Sequence, residues 1–216
     1  MKKLFSLIFL TAVFANSEVC GNHFYKSWNE GILVLKNQQT LKGEITYNLK
    51  FDVVQIKVDN KINTYTPYNV TYFQIYDETK ERNRIFAAVD SNAENRNRRR
   101  EKSFLEVLIR GELLLLQKEE IKKLPVQNFY NSDINFSSAI EYSNYVFTNN
   151  KIKEIKNFKK DVLPLMADEA ELIDFYIKNR NMDLQQFEHQ ILIIDYYNYL
   201  KDPSRPILED QNLAKY

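Results

Sequence analysis

From Gly31 to about Leu124 the sequence reads as β, with apolar runs and stretches of period-two alternation separated by polar turns at spacings of eight to twelve residues. This pattern puts every second side chain on one face of an extended chain, so it constrains the fold more than any other feature of the sequence. Ile32 to Leu35 opens it, and Asn37 to Gln39 makes a turn. Leu41, Gly43, Ile45 and Tyr47 then alternate with Thr40, Lys42, Glu44 and Thr46. Gly43 inside this strand predicts a bulge or a close backbone approach. Val54, Ile56 and Val58 mark the next strand, and Asp59-Asn60 turns into Lys61 to Thr66. Val70 to Tyr76 and Arg84 to Val89 add two β-branched and aromatic runs. Short strands with regular turns predict a small antiparallel barrel or sandwich.

Ser103 to Lys118 is rich in leucine, which also suits a helix. Gly111 decides for a hairpin about Arg110-Gly111, because glycine accepts a turn conformation and costs about 1 kcal/mol inside a helix. After Pro125, Asn131 to Ser138 reads as turn. Ala139 to Thr148 and Lys151 to Ile155 read as a second hairpin, and three helical segments follow. The first starts near Asn157 and is limited by Pro164. The second has Asp168 and Glu171 at capping-box spacing, with Leu172, Ile173, Tyr176 and Ile177 as its stripe. The third repeats the device with Asp183 and Gln186, carries Leu184, Phe187, Ile191 and Ile194 on one side, and ends at Asp202-Pro203. The expected class is α+β, an antiparallel β-rich domain followed by a β-hairpin and about three short helices. One narrow apolar stripe per helix predicts that the helices share a core with the strands.

The expected segments are a signal peptide at 1–15, a mature N-terminal segment at 16–30, the β-rich domain at 31–128, the hairpin and helices at 129–200 and a polar tail at 201–216. Lys2 and Lys3, the apolar run Leu4 to Phe14 and the exit Val13-Phe14-Ala15 form the pattern of a secretory signal. The run is shorter than the roughly 20 residues a bilayer-spanning helix needs. Cys20 is the single cysteine, which excludes an intramolecular disulfide and a cysteine-built zinc site. Ser17-Glu18-Val19 before it does not suit lipid attachment. The chain has 30 basic and 29 acidic residues, and loss of Lys2 and Lys3 leaves the mature protein near −1. Such a balance gives no electrostatic footprint for nucleic acid.

Few residues are spaced for chemistry. The two histidines, His23 and His189, have no histidine at i+4, and four glycines leave no phosphate-cradling loop. No cofactor or metal is expected. A Cys20–His23 thiol–imidazole pair lies beside the new N-terminus, and catalytic pairs are usually assembled from separate elements. Helix capping and dipole compensation explain Asp168, Glu169 and Glu171, which with Asp174 form the densest acidic group. Asn69-Val70-Thr71 and Asn135-Phe136-Ser137 match the glycosylation sequon, as chance allows in an Asn-rich chain. Arg96, Arg98, Arg99 and Arg100 could grip a polyanion, but a solvated, protease-accessible loop is the plainer account, because no aromatics interleave. Tyr65, Tyr68, Tyr72 and Tyr76 could form a recognition surface, although half of any alternating set must point inward and core packing is the plainer account.

Gly31 to Leu35 followed by Thr40 to Tyr47, Thr64-Tyr65 with Val70 and Phe73, the Phe104 to Leu116 hairpin and the helices ending in Tyr196-Tyr197-Asn198 together resemble uncharacterised exported proteins of Bacteroidetes-type bacteria. In several such relatives the domain precedes an outer-membrane barrel. Here the sixteen residues Lys201 to Tyr216 hold no barrel. The resemblance implies a periplasmic, outer-membrane-associated or secreted location and transfers no active site. The expected function is a non-catalytic binding or structural module of the cell envelope. It would recognise a partner protein or envelope component, with no nucleic acid and no transmembrane segment once the signal is removed. The alternatives are an envelope-associated hydrolase with a dispersed carboxylate site, and a periplasmic carrier of a small apolar ligand.

Overall fold

A computed structural model describes residues 28–90, 101–127 and 134–208, with the backbone alone at 123–127 and 134–138. The expected signal peptide, Cys20, His23 and the Arg96, Arg98, Arg99 and Arg100 cluster lie outside the described residues. Among the described residues ten strands form the sheet: β1 (Asn29–Leu35), β2 (Thr40–Asn48), β3 (Val53–Val58), β4 (Lys61–Tyr65), β5 (Val70–Asp77), β6 (Arg82–Asp90), β7 (Lys102–Ile109), β8 (Leu114–Gln127), β9 (Ile134–Thr148) and β10 (Lys151–Glu154). Their order is β10-β9-β8-β7-β6-β5-β1-β2-β3-β4, and every pairing is antiparallel. Asn149 and Asn150 take positive φ between β9 and β10, as a tight hairpin turn requires.

The β-rich, antiparallel expectation holds at that level. The finer expectation, a small barrel or sandwich, is not met by the hydrogen bonding, because β4 and β10 end one open sheet. The sheet nevertheless curls. Tyr47 on β2 and Phe104 on β7 are separated by three strands, about 19 Å in a flat sheet at 4.8 Å per step. Their ring centroids lie 5.7 Å apart. Two glycines face each other where β1 meets β2, Gly31 opposite Gly43. A Cβ on Gly43 would overlap the Lys57 carbonyl oxygen, and one on Gly31 the Gln74 carbonyl oxygen, so the close approach expected at Gly43 is present. The curl is fastened at the β2–β3 turn. Asp52, at φ 50°, accepts 2.7 Å from the Tyr47 hydroxyl and 3.3 Å from the Phe104 amide. That amide belongs to the stretch of β7 that β8 does not pair, since the β7–β8 register begins at Glu106 opposite Gln117.

Among the described residues, two of three apolar clusters share the concave side, and the third, Leu105, Leu116 and Ile152, lies on the other face of β7, β8 and β10. The first gathers Leu33, Ile45, Tyr47, Val54, Phe73, Phe86 and Phe104 from β1, β2, β3, β5, β6 and β7. Phe73 and Phe86 stack at 4.7 Å within it. The second joins Leu108, Leu115 and Val146 of the sheet to the helices α1 (Phe158–Asp161), α2 (Ala170–Asn179) and α3 (Phe187–Lys201). Helices and strands therefore share a core, as their apolar stripes required.

The C-terminal part departs from the sequence reading in three places. Residues 134–138, read as turn, belong to β9, which pairs with β8 from Ile134 to Phe147. Asn157 caps α1, but Pro164 opens a 3₁₀ segment, Leu163–Glu169, that takes in Asp168. Asp168 is thus no cap of α2, and its carboxylate binds Lys201 at 2.6 Å and the Tyr197 hydroxyl at 3.2 Å. The third departure is at α3, where Gln186 stands at the N-cap and makes no side-chain capping bond. Asp183 closes a local turn by accepting from the Gln185 amide, while its own amide donates to His189 Nδ1 at 2.8 Å.

Candidate functional site

Three places in the described residues collect groups that could recognise or react with another molecule. The first is the outer face of β5. Phe73 and Ile75 point into the core, so Tyr72, Gln74 and Tyr76 share the opposite face. Tyr72 is 38% exposed and Tyr76 45%, their Cα atoms about 14 Å apart along the strand. The register sets the half-buried Val34 and Ala87 on either side of Tyr72, and Ile32 and Ile85 on either side of Gln74. Tyr68, 53% exposed, projects from the turn before the strand. Of the four tyrosines, Tyr65 alone packs against the core, from the end of β4. Core packing, the plainer sequence account, therefore fails for Tyr68, Tyr72 and Tyr76. The inward positions of β5 were already filled by Val70, Phe73 and Ile75.

The second place is a buried ion cluster that the sequence reading missed. Arg84 and Glu106 stand at inward positions of neighbouring strands, two residues from Phe86 and Phe104 respectively. Their bond is bidentate, Nε to Oε1 at 3.0 Å and Nη2 to Oε2 at 2.5 Å, and Glu106 is 1% exposed. Arg84 Nη2 also reaches Glu119 at 2.6 Å, its Nη1 reaches Asp77 at 3.3 Å, and Arg82 reaches Glu106 at 2.6 Å. Partial burial pushes the Asp77 carboxyl up, but bonds from Thr79, the Lys80 amide and Arg84 outweigh it and hold the group below its ordinary range. Burial, reinforced by Arg84, lowers Lys80. The nearest oxygens of Glu106 and Glu119 lie within about 5 Å of each other, close to the carboxyl spacing of retaining glycosidases. Chemistry at that spacing needs one carboxylate to act as proton donor and both to meet substrate. Here both are spent on one guanidinium, and Glu106 is sealed from solvent. The cluster is a polar layer between the two cores.

The third is a concavity of about 460 Å³ lined by Arg110, Gly111, Glu112, Asn198, Lys201, Asp202, Arg205 and Pro206. Its cations are largely engaged by the protein itself. Lys201 binds Asp168, and Arg205 binds Asp195 at 2.7 Å and the Arg110 carbonyl oxygen. Asn198 is fully used, accepting from the Leu113 amide at 2.9 Å and donating to the Leu113 carbonyl at 2.8 Å. Burial, with Asp168 beside it, raises the Tyr197 hydroxyl to about 12, so it stays a hydrogen-bond donor at neutral pH. The arrangement fastens the β7–β8 turn to α3.

No group of three or more His, Cys, Asp and Glu side chains stands ready to hold a metal ion among the described residues. His189 is half-buried and committed to the Asp183 turn. Asn69 lies in the exposed turn before β5, where Thr66 donates to its side chain. No helix among the described residues is long and apolar enough to cross a membrane. Comparison with protein-family models, with curated proteins and with solved structures gave no match.

Proposed function

We propose that the protein is an exported, non-catalytic binding or structural module of the cell envelope, and that it meets its partner through the outer face of β5. The observation that carries this reading is the pair Tyr72 and Tyr76, exposed on a strand whose other face is anchored in the first core. A tyrosine on a rigid strand offers a large ring and a hydroxyl at little conformational cost. The charged groups that could do chemistry are instead tied to each other at the Arg84–Glu106 layer. The carrier alternative needs a hollow interior, whereas Tyr47, Phe73, Phe86 and Phe104 occupy the curl with ring centroids 4.7–5.7 Å apart. A barrel-like or sandwich-like reading of the curled half belongs to the same proposal, supported by the fastening of Asp52 to Phe104. The envelope location rests on the leader-like residues 1–15 and on the family resemblance.

The test is capture from envelope extracts with the chain beginning at Asn16, run beside a Tyr72→Ser/Tyr76→Ser variant whose circular dichroism matches the parent. A partner retained by the parent and lost by the variant is the expected result. Equal retention by both, or turnover of a glycan or peptide by the purified parent, overturns the proposal. N-terminal sequencing of the natural protein is expected to begin at Asn16.

A further inference from the structure

The hairpin of β8 and β9 outgrows the sheet that carries it. β7 pairs with β8 as far as Gln117, and β10 pairs with β9 from Tyr145 onward. Beyond those points, among the described residues, Lys118 to Gln127 pairs only with Ile134 to Ser143, ten residues against ten. This two-stranded arm is about 34 Å long, and a two-stranded ribbon is marginally stable in water without a third strand or an apolar cover. Its two faces differ. On one, Lys118 binds Glu120 at 2.7 Å and Lys122 binds Glu141, a charged ladder suited to solvent. On the other, Ile121 stands opposite Ile140, which is 52% exposed, and Tyr142 follows at 54%.

The two edges differ as well. The free edge of β8 reads Lys118, Glu119, Glu120, Ile121, Lys122, Lys123 and then Pro125, the charged and proline-bearing composition that blunts strand addition. The free edge of β9 over Ile134 to Ser143 contains one charge, Glu141, and no proline or glycine. We propose that this edge of β9 pairs antiparallel with the same edge of a second copy of the chain, about a two-fold axis at Ile140. The sequence is complementary to itself in that register. Glu141 falls opposite Ala139, Tyr142 opposite Ser138 and Ser143 opposite Ser137, so no like charges meet. A two-fold axis normal to the sheet keeps equivalent faces together, so Ile121 and Ile140 of both copies form one apolar row across four strands. Each ribbon then gains the neighbour it lacks. In this register Ser137 to Ser143 pair, seven residues a side, because β10 and Ile155 occupy the edge of β9 from Asn144 onward and Ile134 to Phe136 of each copy run past it unpaired. That is below the roughly 20–30 residues of a standard interface, so the dimer dissociates on dilution.

Sedimentation equilibrium of the purified chain, over a dilution series from the highest soluble concentration, reads the association directly. A reversible monomer–dimer equilibrium is expected, and Ile140→Lys is expected to shift it to monomer with an unchanged circular dichroism spectrum. In a Cys20→Ser background, Ile140→Cys is expected to give roughly tenfold more oxidised covalent dimer than Phe175→Cys, because facing residues of an antiparallel pair bring their Cβ atoms to about 4.5–5.5 Å. Phe175 is exposed on α2, away from the arm. A monomer at every concentration overturns the proposal, as does equal cross-linking at the two positions, and the cysteine comparison decides even if Ile140→Lys fails to fold.

Discussion

Glu106 shows what a single buried carboxylate can decide. Its oxygens take the Arg84 guanidinium on two bonds and Arg82 on a third, with almost no solvent to substitute for either. Removing one member of such a pair strands the other in low dielectric, which costs about 3–5 kcal/mol, whereas replacing both with apolar groups of similar volume is often neutral. Glu106→Ala is therefore expected to lower the urea midpoint by most of the protein's margin. Arg84→Met/Glu106→Leu is expected to recover most of that loss, leaving Arg82 to pair with Glu119 or Asp77. Equal destabilisation by the single and double variants would show that the cost lies with Glu119 and Asp77, which also lose Arg84, and not with an unpaired guanidinium. The inward parity of both residues was legible, since each lies two positions from a core phenylalanine on its strand. The pairing was not, because a charge at a core position announces that it needs a partner without saying which of the chain's oppositely charged residues supplies it.

The β7–β8 turn and α3 depend on each other in the same way. Gly111 has φ 150°, and a Cβ there would overlap the Asn198 side-chain amide. Asn198 in turn gives Leu113 both of its backbone partners, 85 residues away in sequence. Asn198→Ala is expected to leave the buried Leu113 amide and carbonyl unpaired, at about 1–3 kcal/mol for each group. Calorimetry should show a lower Tm, and hydrogen exchange at the Leu113 amide should accelerate more than at amides of β2. Gly111 was read correctly as a turn residue because its conformational licence is local. β2 and β3 were legible for a related reason, since alternation writes the pleat directly into the sequence, while β1, β5 and β6 were read from apolar, β-branched and aromatic runs and the β7–β8 hairpin from Gly111. The helices were less so. Both capping boxes were read from spacing, yet Lys201 and Tyr197 draw Asp168 away from the start of α2, and His189 takes the Asp183 amide. α3 read as one narrow stripe, but Ile191, Leu192, Ile193, Ile194, Asp195, Tyr197 and Asn198 are all buried, so no single face records its surroundings. The tyrosine face of β5 was legible as a candidate, and its exposure followed once the strand's inward positions were assigned.

β7 connects the two cores within a single strand. Phe104 belongs to the first core, Glu106 to the polar layer and Leu108 to the core shared with the helices. Its neighbours extend the coupling, since β6 supplies Phe86 to one core and pairs with β7 along five residues, while β8 supplies Leu115 to the other. Neither core can lose its order without loosening a strand on which the other depends. Cooperative unfolding follows, in spite of the polar layer between them. The expected result is a single transition by circular dichroism in which Phe73→Ala, from the first core, and Ile193→Ala, from the second, lower the same midpoint. Phe73 and Ile193 are both fully buried, so each loss is expected to fall in the range of about 2–5 kcal/mol for large-to-alanine core changes. Two resolved transitions, each responding to only one of the substitutions, would mean that the Arg84–Glu106 layer separates two independently folding units. Glu106→Ala offers the sharper version of the same measurement, since loss of the layer should lower the shared midpoint without splitting it.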